Sequence, residues 1–224
     1  MSLALALVTG SLRGITQVLC EVEREELEKI PARGPLILVT NHINFLDAPL
    51  VFSHLQPRPV TGFAKAETWD NPWMAALFNV FGAIPLHRGE ADMQAIHQGL
   101  HALEQGKILA ITPEGTRSGH GRLQQGHPGV VLLALKAEVP LLPFVFWGNE
   151  LFHTNFRRLR RTPFHFKVGM PFRLDPGGAR VTRELRQAMT DEIMCQLAAL
   201  LPPAYRGVYA GREPQTQYIQ FLNS

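Results

Sequence analysis

The period of the apolar positions changes several times along this chain, and the changes mark its elements. Leu5, Val8, Leu12, Ile15, Leu19 and Val22 recur at three and four residues, which puts them on one face of an N-terminal helix. Gly10 and Gly14 weaken that helix by roughly 1 kcal/mol each relative to alanine. Such a face suits either packing on a core or lying on a membrane surface. From residue 35 onward, short apolar runs alternate with helical spacings. Strands are predicted over 36–40, 60–64, 83–86, 108–112, 141–147 and 164–169. Helices are predicted over 48–55, 71–80, 91–105, 128–138 and 181–201. Asp47 is a candidate N-cap with Pro49 in the first turn, and Asn71 caps the next helix with Pro72 at its first position. The helix over 91–105 carries Met93, Ile96, Leu100 and Leu103 on its expected buried face and stops at Gly106. The helix over 128–138 is apolar all round, and the last one presents Leu185, Met189, Ile193 and Leu197.

Strands that alternate with helices imply an α/β fold, a mostly parallel central sheet flanked by helices, with an N-terminal amphipathic helix in front of it. Ligands bind such sheets just beyond the carboxyl ends of the strands. The expected organisation is a helical segment over 1–34, one domain over 35–207 and a loosely packed tail over 208–224.

Composition narrows the class. Of 224 residues, 46% are hydrophobic and 18% charged, so the chain can bury a sizeable core and is less charged than an average soluble domain. A net charge of +3 is too small for a dedicated nucleic-acid binder, and no nucleic-acid partner is expected. No apolar run reaches about 18 residues, which argues against a spanning helix. The apolar start has no basic residue ahead of it and no small-x-small cleavage site, unlike a secretory signal. Two cysteines, Cys20 and Cys195, exclude a disulfide scaffold or a four-cysteine zinc site and fit a reducing compartment.

Three clusters carry chemistry. In N-H-I-N-F-L-D (41–47), His42 follows a strand and Asp47 lies five positions on. A turn of that length can fold the carboxylate onto the imidazole, keeping one ring nitrogen protonated and the other free as a base. Each residue alone also fits a blander role, a polar loop histidine and a helix cap. In T-P-E-G-T-R-S (112–118), Glu114 and Arg117 can pair, Gly115 permits a tight turn, and Thr116 and Ser118 add hydroxyls. That is either an anion pocket or an ordinary polar turn with a surface ion pair. In G-A-I-P-L-H-R-G (82–89), Arg88 ends a short strand and offers bidentate phosphate recognition, with His87 a bystander. Lys65, at the end of another strand, is a further cation or a solvated lysine. Nucleophile-elbow, P-loop and H-E-x-x-H patterns are missing, and no metal site is expected, since His97 and His101 have no third ligand.

These blocks in order resemble the glycerolipid acyltransferase family of the 1-acylglycerol-3-phosphate acyltransferase type. N-H-x-x-x-x-D is matched by Asn41, His42 and Asp47, the glycine-to-arginine strand by Gly82–Arg88, P-E-G-T-R-S by Pro113–Ser118, and V-P-x-x-P by Val139–Pro143. F-A-K-A-E (63–67) and L-P-P-A-Y-R-G (201–207) add to the likeness, which covers roughly residues 35–207. The chain departs at Gln124–Pro128, where members often carry a basic residue, and at His87, where they often carry an acidic or other polar one.

The resemblance implies a glycerol-phosphate acyltransferase-like fold and transfer of a fatty acyl group from a thioester, acyl-CoA or acyl carrier protein, to the hydroxyl of a lysophosphatidate-like acceptor. His42 would act as base with Asp47 orienting it. Arg88, Arg117 and Lys65 would bind the phosphate. Asn41, Glu114, Gly115, Thr116 and Ser118 would shape the pocket, and the strand with Pro140 and Pro143 would lie beside the acyl chain. No bound cofactor is expected. Same-fold alternatives are an acyltransferase for another lysolipid or an amino-lipid of the ornithine type, and a catalytically silent lipid-binding homologue. Residues 151–186 hold nine Lys/Arg against two Asp/Glu, which leaves thirteen against seventeen elsewhere. Arg157, Arg158, Arg160 and Arg161 stand close to Phe152 and Phe156. That cluster suits the phospholipid membrane surface, the phosphates of coenzyme A, or an acidic carrier protein. The expected location is peripheral, on the cytoplasmic face of the cell membrane. Trp69, Trp73, Met74, Leu77, Phe78 and Phe81 form another apolar face, for core, membrane or acyl chain.

Overall fold

The chain opens with helix α1 (Leu3–Leu19), which runs directly into strand β1 (Cys20–Val22). Then follow β2 (Leu36–Thr40), α2 (Asp47–His54), β3 (Val60–Lys65), α3 (Pro72–Val80), β4 (Ile84–Leu86), α4 (Met93–Glu104) and β5 (Ile108–Ile111). The second half runs α5 (Gly129–Ala137), β6 (Leu141–Trp147), α6 (Phe152–Arg157), β7 (Thr162–Val168), β8 (Phe172–Leu174), α7 (Arg183–Leu200) and β9 (Ile219–Phe221). The computed structural model describes residues 2–23, 25–87 and 92–222.

The strands form one sheet in the order β1-β7-β6-β2-β5-β3-β4, with β8 beside β6 and β9 beside β8. The central five, β6-β2-β5-β3-β4, are all parallel. β7 runs antiparallel to β6, because α6 is too short to carry the chain back for a parallel return, and β8 follows β7 in the same direction. Alternation along β2 sends Ile37 and Val39 into one core and Leu36 and Leu38 into the other. Helices α4, α5 and α7 cover the first face, and α1 and α2 the second. Every residue of β2 is therefore buried, as expected of a central parallel strand.

Several expectations need correction. α1 stops at Leu19 rather than continuing to Val22, since Cys20–Val22 pairs with β7. Its inward stripe is Leu5, Val8, Thr9, Leu12, Thr16 and Leu19, while Ile15 is exposed together with Leu3, Leu7 and Val18. The stripe turns because Thr16 is drawn inward, its hydroxyl bonded to the Leu12 carbonyl and 3.0 Å from His54 Nε2. Arg161 donates to the carbonyls of Gln17 and Cys20 and so caps α1 from 141 residues away. It is thus not one of the free cations of its cluster.

Met93 is exposed rather than buried, because α4 turns Ala95, Gly99, Ala102 and Leu103 to the sheet. Contact is close there: a Cβ on Gly99 would lie 2.9 Å from the Phe63 ring. α5 is not buried all round, since Gly129 and Lys136 face solvent. Within the expected loose tail, the described residues 208–222 include packed structure. Tyr209 is buried, and β9 adds an antiparallel edge to β8. Among the described residues, no helix is long and apolar enough to cross a membrane.

Candidate active site

The candidate site sits where β2 ends. Asn41, the residue after β2, extends the ladder through its side chain. Its side-chain amide donates to the Phe146 carbonyl (2.9 Å) and accepts from the Phe146 N–H (3.0 Å). This pairing closes the strand and lets the chain turn away at His42. His42 Nδ1 lies 2.7 Å from Asp47 Oδ2. An ionised carboxylate only accepts, so Nδ1 carries the proton and Nε2 is left as a proton acceptor.

Asp47 is buried and begins α2, but it does not cap it. Leu46 holds the cap position with no side-chain bond, and Asp47 faces back into the loop. Its Oδ2 also accepts the N–H groups of Ile43 (2.6 Å) and Asn44 (3.0 Å). Its Oδ1 accepts from Asn149 Nδ2 at 2.6 Å.

Glu114 lies beneath the histidine rather than beside an arginine. Its two oxygens accept the N–H groups of His42 (2.8 Å) and Gln124 (2.9 Å), and the side chain is only 2% exposed. Burial pushes its carboxyl up from the ordinary range, against the pull of those donors. The expected Glu114–Arg117 pair is therefore absent: Arg117 faces solvent. Two more bonds seat the turn, with Ser118 N donating to the His42 carbonyl (2.8 Å) and Gly119 N to that of Ile43 (3.0 Å). Ser118 Oγ accepts from Gly121 N (3.1 Å), and Thr116 is exposed.

A cavity of about 430 Å³ opens from the dyad, within the usual range for small-molecule sites. Asn41, His42, Asp47, Lys65 and Gly115 line its polar part. Its apolar walls come from both helical layers, Val51 and Phe52 on one side and Ile96 and Leu133 on the other. Small residues keep it open. A Cβ on Gly62 would stand 2.8 Å from the Ala110 carbonyl oxygen and 3.3 Å from the Phe52 ring. Lys65 is half-exposed and bridges to Glu67 at 3.0 Å. Arg88 lies outside the described residues. Pro140 and Pro143 do not line the cavity: Pro143 is buried in β6 and packs against Gly169. Among the described residues, no group of three or more His, Cys, Asp or Glu is placed to hold a metal ion.

The sequence profile of the Acyltransferase family matches residues 21–147. The chain belongs to the acyltransferase family. It is 32% identical over 143 residues to a 1-acyl-sn-glycerol-3-phosphate acyltransferase of Limnanthes alba, covering 62% of this chain and 50% of that protein. Over 112 residues it is 33% identical to a lyso-ornithine lipid O-acyltransferase of Pseudomonas aeruginosa, covering 50% of this chain and 42% of that one. It thus spans about half the length of these relatives. The crystal structure of the 1-acyl-sn-glycerophosphate acyltransferase PlsC of Thermotoga maritima superposes with a TM-score of 0.65 at 25% identity, over 88% of this chain and 78% of that one.

Sequence reasoning missed the turn after β6. Asn149 is fully buried against Asp47, and Asn44 Nδ2 donates to its carbonyl at 2.7 Å. One signal pointed there: Gly148, Asn149 and Glu150 are polar or flexible residues at the carboxyl end of a buried parallel strand.

Proposed function

We propose that this chain transfers a fatty acyl group from a thioester, acyl-CoA or acyl carrier protein, to the hydroxyl of a lysophosphatidate-type glycerolipid in phospholipid biosynthesis. The observation that supports it most is the 2.7 Å contact between His42 and Asp47 at the polar end of an apolar cavity. His42 Nε2 takes the hydroxyl proton as the oxygen attacks the thioester carbonyl. The tetrahedral adduct collapses to the ester, and the imidazolium returns the proton to the departing thiolate. Asp47 holds Nδ1–H throughout, so the ring gains its charge beside a fixed anion. No acyl-enzyme is needed. The acyl chain occupies the cavity between Phe52 and Leu133, and the acceptor phosphate meets Lys65, Arg117 and Arg88.

The enzyme works peripherally, from the cytoplasmic face of the membrane. The exposed Leu3, Leu7, Ile15 and Val18 of α1, Trp73 of α3, and the turn with Phe156, Arg157, Arg158 and Leu159 are its candidate lipid contacts. A second reading, acylation of a lyso-ornithine lipid, is favoured by the similarity to the Pseudomonas aeruginosa enzyme of that name. The deciding experiment presents labelled acyl-CoA and acyl carrier protein separately with lysophosphatidate, glycerol 3-phosphate and lyso-ornithine lipid. Product from lysophosphatidate supports the first reading, and product from the amino-lipid alone supports the second. No product with any acceptor, from folded protein, leaves a silent lipid-binding homologue.

A further inference from the structure

We propose that Asn149 is a positioning residue of the dyad: it fixes the plane of the Asp47 carboxylate, and Glu150 and Tyr205 hold Asn149 in place. The proposal rests on the acyltransferase reading and adds residues beyond the matched span 21–147.

A carboxylate turns easily about its terminal bond, because such torsions are broad and roughly two-fold. All three donors from the dyad loop, His42 Nδ1, Ile43 N and Asn44 N, converge on Oδ2 alone. Bonds to one oxygen fix where that oxygen sits but resist rotation of the group weakly. The second anchor is Asn149 Nδ2, 2.6 Å from Oδ1. With both oxygens tied, the lone pair of Oδ2 stays aimed at Nδ1–H.

The amide is a poor choice for stability alone. Asn149 is fully buried, and its Oδ1 has no partner among the described residues, a state that works against folding. What the side chain does in that position is donate, to Asp47 Oδ1 at 2.6 Å and at the longer distance of 3.4 Å to Asn44 Oδ1.

The turn that carries Asn149 is built to stay put. Gly148 has φ +94°, and a Cβ there would lie 2.7 Å from the Pro163 carbonyl oxygen, so only glycine lets the turn seat against β7. Asn44 Nδ2 ties the Asn149 carbonyl to the dyad loop. Glu150 bends back to accept Gly148 N at 2.9 Å, and Tyr205 Oη donates to its other oxygen at 2.6 Å. The Tyr205 carbonyl in turn accepts Leu123 N, next to the Gln124 that donates to Glu114. One segment after α7 thus braces both turns that hold His42 and Asp47.

The test compares wild type with Asn149→Leu and the isosteric Asn149→Asp. The Leu variant loses the donor, and its kcat is expected to fall on the order of 10- to 100-fold with both KM values within about two-fold. The Asp variant can donate to Asp47 only when its own carboxyl is protonated. Its activity relative to wild type should therefore rise as the pH is lowered, while that of the Leu variant stays flat. His42, Asp47 and Glu150, which face this position, are present in all three proteins, and the Leu variant is the control for them. An unchanged kcat in the Leu variant, or kcat and KM damaged together, overturns the proposal. Should the Leu variant not fold, the Asp variant decides alone: a ratio that does not change with pH overturns it.

Discussion

Glu114 Oε1 accepts the backbone N–H of His42 at 2.8 Å. The acidic residue of the third motif therefore grips the first motif by its main chain, 72 residues away, and leaves the His42 imidazole out of the bond. A carboxylate so buried has a consequence for stability. Its folded pKa lies above the ordinary 4.5, so its favourable contribution is fully present below that value and is lost as the pH rises through the folded one. Relative to Glu114→Gln, wild type should thus be most stable near pH 4 and lose ground towards pH 8. Urea unfolding of both proteins across that range checks the sign.

His42→Ala should lower acyl transfer by about 10²–10⁴-fold with the circular dichroism spectrum unchanged, because it removes the base. Asp47→Asn should come close to the same loss. It places an amide that can donate where Nδ1–H needs an acceptor. Retention of most activity in the alanine variant sinks the mechanism.

The cavity should read chain length. Ala110 lines it beside Gly62, and Ala110→Leu fills space there. Its kcat/KM for long acyl thioesters should fall by at least about ten-fold relative to short ones. Equal loss for all chain lengths would mean that the acyl chain lies elsewhere.

Arg117→Ala and Lys65→Ala should raise the KM of a phosphate-bearing acceptor more than that of the donor, and Arg88→Ala should behave alike. Steady-state kinetics with each substrate varied in turn separates the two. Parallel rises would assign these cations to the donor's phosphates as well.

Reversal of charge at Arg157 and Arg158 should weaken sedimentation with anionic vesicles. Removing two surface cations alone is worth about 2 kcal/mol, roughly thirty-fold in binding. Arg161 belongs in a separate experiment, because its guanidinium caps α1. Unchanged binding in the double variant moves the lipid contact to the exposed face of α1 or to Trp73.

Long periodic segments and chemically marked boundaries were legible in the chain. Asn71 and Pro72 open α3 as their types require, the Asn71 side chain accepting from Trp73 N and Met74 N. The contact between His42 and Asp47 follows from a spacing that a strand-to-helix turn can close. The rest depends on partners far away in sequence. β1, β8 and β9 have three residues each, too few to show a period. Ile15 looks like a member of the α1 stripe until Thr16 finds His54. Asn149 reads as an ordinary turn residue, since nothing local reveals that Asp47, 102 positions earlier, waits for its amide.

Asn41 makes the alignment of the sheet and the location of the base one and the same variable. Both of its amide bonds go to a single residue, Phe146. A slip of β2 by one position against β6 would strand four buried polar groups at once and turn His42 to the opposite face. Misaligned pairing during folding is therefore disfavoured at the very spot where it would erase the site. The bonds that set the register thus also hold the imidazole at the carboxyl end of a central strand.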